Sequence, residues 1–422
     1  MNIINGDCLE ELKKLEDNSV DAVITDPPYG LSNTKPQQVA DVLKAWVTGD
    51  TVSVPAKRGG FMGKDWDSFV PPPAVWEECM RVLKPGGHMA VFAGARTQDL
   101  MGLSIRLAGF EIRDTLGWVY GSGFPKSQNI ARQLDKTLGE DVPIGKSFNT
   151  AGGGDRESEF ANNGRSEAHK QWSPMSDAAK QWDGWGTALK PAIEPIILAR
   201  KPLDGTVANN VLAHGVGGLN IDACRVPSNE VTGWGGAGAG GGTWNSENMR
   251  LGKDGAARPV QGRFPANVLL DEHAAKEMDE QSGVSVSSVR VNVEKDYTSS
   301  QSLTPDSGKG GDRGHTDSGG ASRFFPVFKY QAKAPKRERP VIEREDGTKI
   351  QHPTVKPVAL MEWLVSLIVP PGGVVLDPFA GSGTTLQAAL NKGFTPIGIE
   401  QDADYIKLIE KRLEETCKTP KS

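Results

Sequence analysis

The sequence predicts an α/β fold: a mostly parallel sheet built from the two ends of the chain, with an irregular region inserted between them. Three observations lead there. Apolar runs of strand length alternate with helical periodicity up to about residue 128 and again after about residue 341. The region between, 129–340, holds three Gly- and Ser-rich stretches, over residues 150–164, 233–242 and 299–320. The length of 422 residues exceeds that of a typical single domain, which fits one large domain carrying an inserted module.

The first region opens with a short strand, Asn2 to Asn5. Asp7 is placed to cap a helix whose Leu9, Leu12 and Leu15 recur at helical spacing. Val20 to Thr25 is apolar apart from Asp21, as a strand buried on both faces requires. Ala74 to Leu83 reads as a helix stopped by Pro85-Gly86-Gly87. His88 to Ala93 reads as a second buried strand, Leu100 to Leu107 as a helix and Phe110 to Val119 as a further strand.

In the middle region, Glu194 to Arg200 and Pro265 to Leu270 read as strands and Thr206 to Ala213 as a helix. The Gly-rich stretches bury too little apolar surface to fold alone. The last region resumes the alternation. Val358 to Val369 is an amphipathic helix, Val374 to Asp377 a strand, Thr384 to Leu390 a helix, Thr395 to Glu400 a strand and Asp402 to Leu413 a helix.

A net charge of −5 argues neither for nor against a polyanionic partner, because basic groups can still cluster on one face. Cys8, Cys79, Cys224 and Cys417 form no CxxC and sit near no His at zinc-ligand spacing, so no metal site is expected. Scattered thiols and a polar start fit a soluble, cytoplasmic protein. The apolar run from Leu364 to Val369 is too short for a bilayer, so no membrane partner is expected.

Three constellations carry chemistry. Thr25-Asp26-Pro27-Pro28-Tyr29-Gly30 follows a buried strand, where parallel sheets bind ligands. The Asp26 carboxylate can accept from an amino group. Pro27 fixes the backbone and Pro28 lacks an N–H, so carbonyls are free to face one donor. Tyr29 offers an aromatic face. This set suits a planar ring bearing NH₂, whereas a bare Pro-Pro-Tyr would more often be an incidental strand exit.

Asp377-Pro378-Phe379-Ala380-Gly381-Ser382-Gly383-Thr384-Thr385 is a Gly-rich turn between a buried strand and a helix. It lets a ligand approach the backbone and adds helix N–H donors. A P-loop would need a Lys before its Ser/Thr, and a dinucleotide loop a third glycine. Glu400 ends the following strand, where a carboxylate can accept from ribose hydroxyls. His352-Pro353-Thr354-Val355-Lys356-Pro357 precedes an amphipathic helix that Thr354 is placed to cap.

At these residues the sequence resembles the DNA amino-methyltransferases. Asp26 to Tyr29 resembles their catalytic DPPY, Asp377 to Thr385 their cofactor loop, and His352 to Pro357 their HPTxKP element. The order, with the catalytic element first and the cofactor loop last, is that of the beta class. Gly117 to Ser127 is similar to a segment of bacterial and phage members, and Arg263-Phe264-Pro265-Ala266-Asn267 is a local echo.

The resemblance implies a circularly permuted, Rossmann-like methyltransferase fold dependent on S-adenosylmethionine. Residues 1–128 would be its catalytic half, 129–340 a target-recognition region and 341–422 its cofactor half. It implies that Asp377, Phe379, Gly381, Gly383, Thr384 and Glu400 hold S-adenosylmethionine, with Thr354 and Lys356 over its methionine end and Asp7 at its adenine or ribose. Asp26, the Pro27 carbonyl, Pro28 and Tyr29 would receive a base flipped out of double-stranded DNA. Family members often dimerise.

Asp at position 26 favours adenine N6, since cytosine-N4 members usually carry Ser there, and glutamine-directed relatives carry Asn. A cofactor-binding regulator that docks on DNA would be expected to have lost the DPPY or the glycine loop. The cluster Lys329, Lys333, Lys336, Arg337, Arg339 and Arg344 is a candidate phosphate track, or else a solvated face. Trp234 and Trp244 are candidates to order on DNA, and Leu31 to Phe69 is placed to form a lid.

Overall fold

The computed structural model describes residues 2–32, 34–55, 67–121, 123, 127–140, 172–234, 258–287, 317–328, 339–344 and 346–418. In chain order the elements are β1 (Asn2–Asn5), α1 (Cys8–Leu12), β2 (Val20–Thr25), α2 (Pro36–Val47), α3 (Pro73–Val82), β3 (Leu83–Phe92), α4 (Gln98–Leu107) and β4 (Glu111–Val119). Then come α5 (Ile130–Thr137), α6 (Asp177–Gln181), β5 (Ile193–Arg200), α7 (Val207–His214), β6 (Val226–Trp234), β7 (Arg258–Arg263), β8 (Val268–Asp271) and α8 (Glu272–Ser282). The short strands β9 (Ser285–Val286), β10 (Ser318–Gly319), β11 (Val327–Phe328), β12 (Ile342–Glu343) and β13 (Lys349–Ile350) follow. The chain closes with α9 (Val358–Ile368), β14 (Val374–Asp377), α10 (Thr384–Asn391), β15 (Thr395–Glu400) and α11 (Ala403–Lys418).

The chain divides into two units, residues 1–122 with 193–422, and residues 123–192. The larger unit holds a nine-stranded sheet in the order β1-β15-β14-β2-β3-β5-β4-β8-β11. Its neighbours run parallel except at β5, which is antiparallel to both β3 and β4. The two ends of the sequence therefore join in one sheet, and β5, β8 and β11 of the middle region extend it.

Both faces of the sheet are covered, which is why β2 and the second half of β3 read as mostly apolar runs. Val23, Met89 and Val91 pack on one face with Leu12 of α1, Trp76 and Cys79 of α3, and Met101 of α4. Ala22, Ile24, Ala90 and Phe92 pack on the other with Leu360, Leu364 and Val365 of α9. The one charge in β2 is satisfied: Asp21 accepts from Lys84 Nζ at 2.6 Å and from the Val374 N–H at 2.7 Å.

Two expectations are corrected. Pro85-Gly86-Gly87 does not follow a helix stop but lies inside β3, which α3 enters directly. The register there jumps from Val20↔Leu83 to Ala22↔His88, a bulge that Gly86 accommodates at φ 77. In the segment Leu31 to Phe69, Val42, Trp46 and Phe69 are buried in the first core, and residues 56–66 lie outside the described residues. Thr354 does not cap α9, whose N-cap is Pro357 with no side-chain cap bond.

The smaller unit packs α5 against α6. Asp135 ties them by accepting from the Met175 and Ser176 N–H groups at 2.9 Å and from Ser176 Oγ at 2.7 Å. Trp182 and Trp185 meet edge to face at 5.0 Å.

Residues 150–164, the Gly-rich 235–242, Trp244, most of 299–320, and Lys329, Lys333, Lys336 and Arg337 lie outside the described residues, as does the side chain of Trp234. Of the basic cluster, Arg344 is engaged within the chain, its Nε 3.1 Å from Asp404 Oδ2 on α11. Among the described residues no helix is long and apolar enough to cross a membrane.

Candidate active site

The singled-out residues collect at the carboxyl edge of the sheet. β14 is followed outward by β15 and β1, whereas β2 is followed in the other direction by β3. Connections thus diverge between β14 and β2, and such a reversal opens a crevice at the strand ends. Across this edge lie, in order, Asp7 after β1, Glu400 at the end of β15, the Asp377 turn after β14 and the Asp26 turn after β2. Thr25 Oγ1 donates to Asp377 Oδ1 at 2.7 Å, so the two turns are in direct contact.

The turn after β14 is shaped by its glycines. Gly381 and Gly383 have φ of 51° and 75°, the left-handed region that favours glycine. A Cβ on Gly381 would lie 2.9 Å from His352 Nε2. The Phe379 N–H donates to Asp377 Oδ1 at 3.1 Å, and the Gly381 N–H to Glu400 Oε2 at 2.9 Å. Ser382 and Thr384 share a hydroxyl hydrogen bond of 3.0 Å where α10 begins.

Burial pushes Asp377 up to about 6, against the hydroxyls of Thr25 and Thr385 and the Phe379 N–H. It pushes Glu400 up to about 7, against the Asp402 and Gly381 N–H groups. Asp7 caps α1, accepting from the Leu9 N–H at 3.0 Å and the Glu10 N–H at 3.3 Å. The Gly6 N–H donates to the Glu400 carbonyl at 3.0 Å, which draws Asp7 beside Glu400.

The turn after β2 is held from outside. Asp67 Oδ1 accepts from the Tyr29 N–H at 2.7 Å and the Gly30 N–H at 3.0 Å, and Thr97 Oγ1 donates to the Tyr29 carbonyl at 2.6 Å. The Tyr29 hydroxyl donates to Asp26 Oδ1 at 2.7 Å and accepts from Lys356 Nζ at 2.9 Å. Lys356 Nζ also lies 3.1 Å from Asp26 Oδ1 and 3.1 Å from Glu194 Oε2, and 4.7 Å from the Phe92 ring centroid.

Burial works against the charge of Lys356, but Asp26 and Glu194 outweigh it and hold the ammonium above its ordinary value. Burial, and then Asp26 and Glu194, push the Tyr29 hydroxyl well above its own.

Asp26, Pro27, Pro28, Tyr29 and Lys356 are thus one cluster, and Asp7, Asp377, Phe379, Gly381, Gly383, Thr384 and Glu400 line the edge beside it. Thr354 is exposed, and its carbonyl is the partner of His352 Nδ1. Sequence reasoning missed Glu194 and Asp67. Glu194 reaches the edge because β5 alone runs backwards, bringing its amino end to where its neighbours finish. Residue order holds no trace of that reversal. A buried carboxylate at Asp67 leaves no pattern signal either.

The chemistry available is specific. The Asp26 carboxylate and the Tyr29 ring stand beside a glycine turn whose neighbours Asp377 and Glu400 are acidic. That set can hold an amino-bearing ring against a ligand laid over the glycines.

Comparison with known proteins bears on this edge. A family model described as DNA methylase matches residues 20–411. The Type II methyltransferase M.HindIII of Haemophilus influenzae is 24% identical over 434 residues, spanning 97% of this chain and 94% of that protein. The DNA adenine methyltransferase YhdJ of Escherichia coli is 48% identical over 63 residues, 15% of this chain and 21% of that protein. Among solved structures, the cytosine-N4-specific PvuII DNA methyltransferase aligns at a TM-score of 0.42 with 12% identity, covering 98% of this chain and 89% of that one. The putative DNA modification methylase TTHA0409 of Thermus thermophilus, complexed with S-adenosyl-L-methionine, aligns at 0.39 with 17% identity, covering 100% and 97%.

Proposed function

The chain belongs to the DNA methylase family, whose model spans residues 20–411, and from that premise we propose that this DNA methyltransferase acts on the exocyclic N6 of adenine in double-stranded DNA. Its cofactor is S-adenosylmethionine, and its mixed α/β fold with a large, mostly parallel sheet is that of such enzymes. The observation that supports the reading most is the Thr25–Asp377 contact, which brings the turns after β2 and β14 together. The acidic residue at position 26 and the local 48% identity to an adenine methyltransferase support adenine over cytosine N4.

The residues present fit the cofactor. Gly381 and Gly383 add no side chains to the turn and hold it in left-handed backbone. Glu400 and Asp7, at the ends of adjacent strands, are acceptors of the kind ribose hydroxyls and an adenine amino group need. Asp377 orders the turn through the Phe379 N–H, and Thr384 opens the helix behind it. Bound there, S-adenosylmethionine supplies an activated methyl group.

The remaining work belongs to the chain. An aromatic amino nitrogen is a poor nucleophile because its lone pair is delocalised into the ring. Asp26 Oδ and the Pro27 carbonyl accept its two hydrogens and localise that pair. Tyr29 replaces part of the stacking the base loses on leaving the duplex. Fixing the nitrogen in line with its target supplies much of the acceleration. Residues 1–128 supply Asp26 and Tyr29 for the base, 341–422 most of the cofactor residues, and 129–340 the recognition of sequence together with β5.

Nucleoside analysis of plasmid DNA propagated with the protein tests the target. N6-methyladenine is expected, and N4-methylcytosine alone would overturn it. Asp26→Ala should abolish methylation while cofactor affinity stays within about twofold, since it removes an interaction made with the reacting base.

A further inference from the structure

One Asp26 oxygen already holds two partners in the chain. Oδ1 accepts from the Tyr29 hydroxyl at 2.7 Å and faces Lys356 Nζ at 3.1 Å. A carboxylate that accepts from a base amino group needs that lone-pair space. Lys356 is only 11% exposed, so its ammonium cannot simply turn out to water when displaced. A buried ammonium left without a counter-charge is strongly destabilising.

A second anion stands ready. Glu194 Oε2 lies 3.1 Å from the same Nζ, at the amino end of the one reversed strand. Trp118↔Glu194 pairing and the Ala93 N–H to Pro195 carbonyl bond of 2.9 Å fix the backbone on both sides. The carboxylate is therefore held by the sheet itself and does not depend on a loop.

We propose that Glu194 is a positioning residue for methyl transfer: it retains Lys356 when the base amino group claims Asp26, so that the acceptor is released without stranding a buried charge. The inference rests on the reading that Asp26 receives the amino group. Lys356 passes from two carboxylates to one, Asp26 from the ammonium to the base. Tyr29, whose hydroxyl touches both, stays in place to stack. The charge of Lys356 is sustained by these two carboxylates against its burial, consistent with a group that changes partner but not protonation.

The test compares affinity for duplexes carrying, at the methylated position, either adenine or purine, which lacks the amino group. Full-length wild type, Glu194→Gln, Glu194→Asp, Lys356→Met and the Gln/Met double variant are measured. Wild type should prefer adenine. Glu194→Gln should lose that preference about fivefold or more, the scale of one hydrogen bond, while its cofactor affinity is unchanged.

Glu194→Asp should recover most of the loss. In the Lys356→Met background the Gln substitution should change the preference less than about twofold, because the ammonium that Glu194 retains is gone. An unchanged preference in Glu194→Gln, or the same loss in both backgrounds, overturns the proposal. Should Glu194→Gln not fold, Lys356→Met decides: it must prefer adenine at least as strongly as wild type, and a weaker preference sinks the idea. If the methylated base is cytosine, the pair becomes cytosine and 2-pyrimidinone. The adenine reading then fails while Glu194 is still judged.

Discussion

Thr25 Oγ1 donates to Asp377 Oδ1 at 2.7 Å, both side chains buried, and that bond joins the turns after β2 and β14. Thr25→Val keeps the shape and removes the donor. It should destabilise the fold by about 1–3 kcal/mol, the cost of a buried acceptor left short of a partner. Thr25→Ser should restore most of the loss. Chemical denaturation of the three proteins reads this out, and equal midpoints for Val and wild type would remove the bond from the account.

Glu400 gives the protein a pH signature. Its native value of about 7 lies above the ordinary 4.5, so over that interval the native state holds more protons than the unfolded one. This group's contribution to stability is present below about 4.5 and is lost as pH rises through about 7, by roughly 3 kcal/mol. Glu400→Gln cannot titrate. The stability difference between wild type and variant should therefore move in the variant's favour from pH 4.5 to 7.5, measured by urea unfolding without cofactor. A difference independent of pH would count against it.

Gly381 should be intolerant where Gly372 is not. Both have left-handed φ, 51° and 72°, but a Cβ at 381 meets His352 Nε2 at 2.9 Å, whereas at 372 nothing lies within 4 Å. Both Ala variants carry backbone strain of about 1 kcal/mol. Only Gly381→Ala should also weaken S-adenosylmethionine binding, by about tenfold or more, or 1.4 kcal/mol. Calorimetric titration of both variants checks this.

Tyr29 has two separable parts. Its hydroxyl bridges Asp26 and Lys356, and its ring is the surface proposed to stack on the base. Tyr29→Phe should lower the single-turnover rate several-fold, on the scale of one charge-assisted hydrogen bond. Tyr29→Ala should add a loss of about tenfold in flipped-base binding, within the range for stacking on an aromatic side chain. Equal rates for Phe and Ala would exclude a role for the ring.

Much of this site is written in local pattern. β2 and β14 announce themselves because burial on both faces demands mostly apolar runs, and the Gly381–Gly383 turn because its left-handed backbone favours glycine. The bulge at Gly86 reads as a helix stop in the sequence, since Pro-Gly-Gly is as good an ending for a helix as it is a kink in a strand. The core role of Val42 and Trp46 is hidden in a segment whose packing partners lie elsewhere in the sequence. Glu194 is invisible for a deeper reason. Its place depends on the direction of one strand, and direction is a property of the assembled sheet.

The reversal of β5 also decides where this protein could be re-engineered. The sequence invites an exchange of everything between residues 129 and 340 to graft on a new specificity. Such a transplant would carry away β5, break the sheet between β3 and β4, and take Glu194 with it. A workable donor cassette must begin beyond Arg200, and must hand back β8 and β11 to close the far edge.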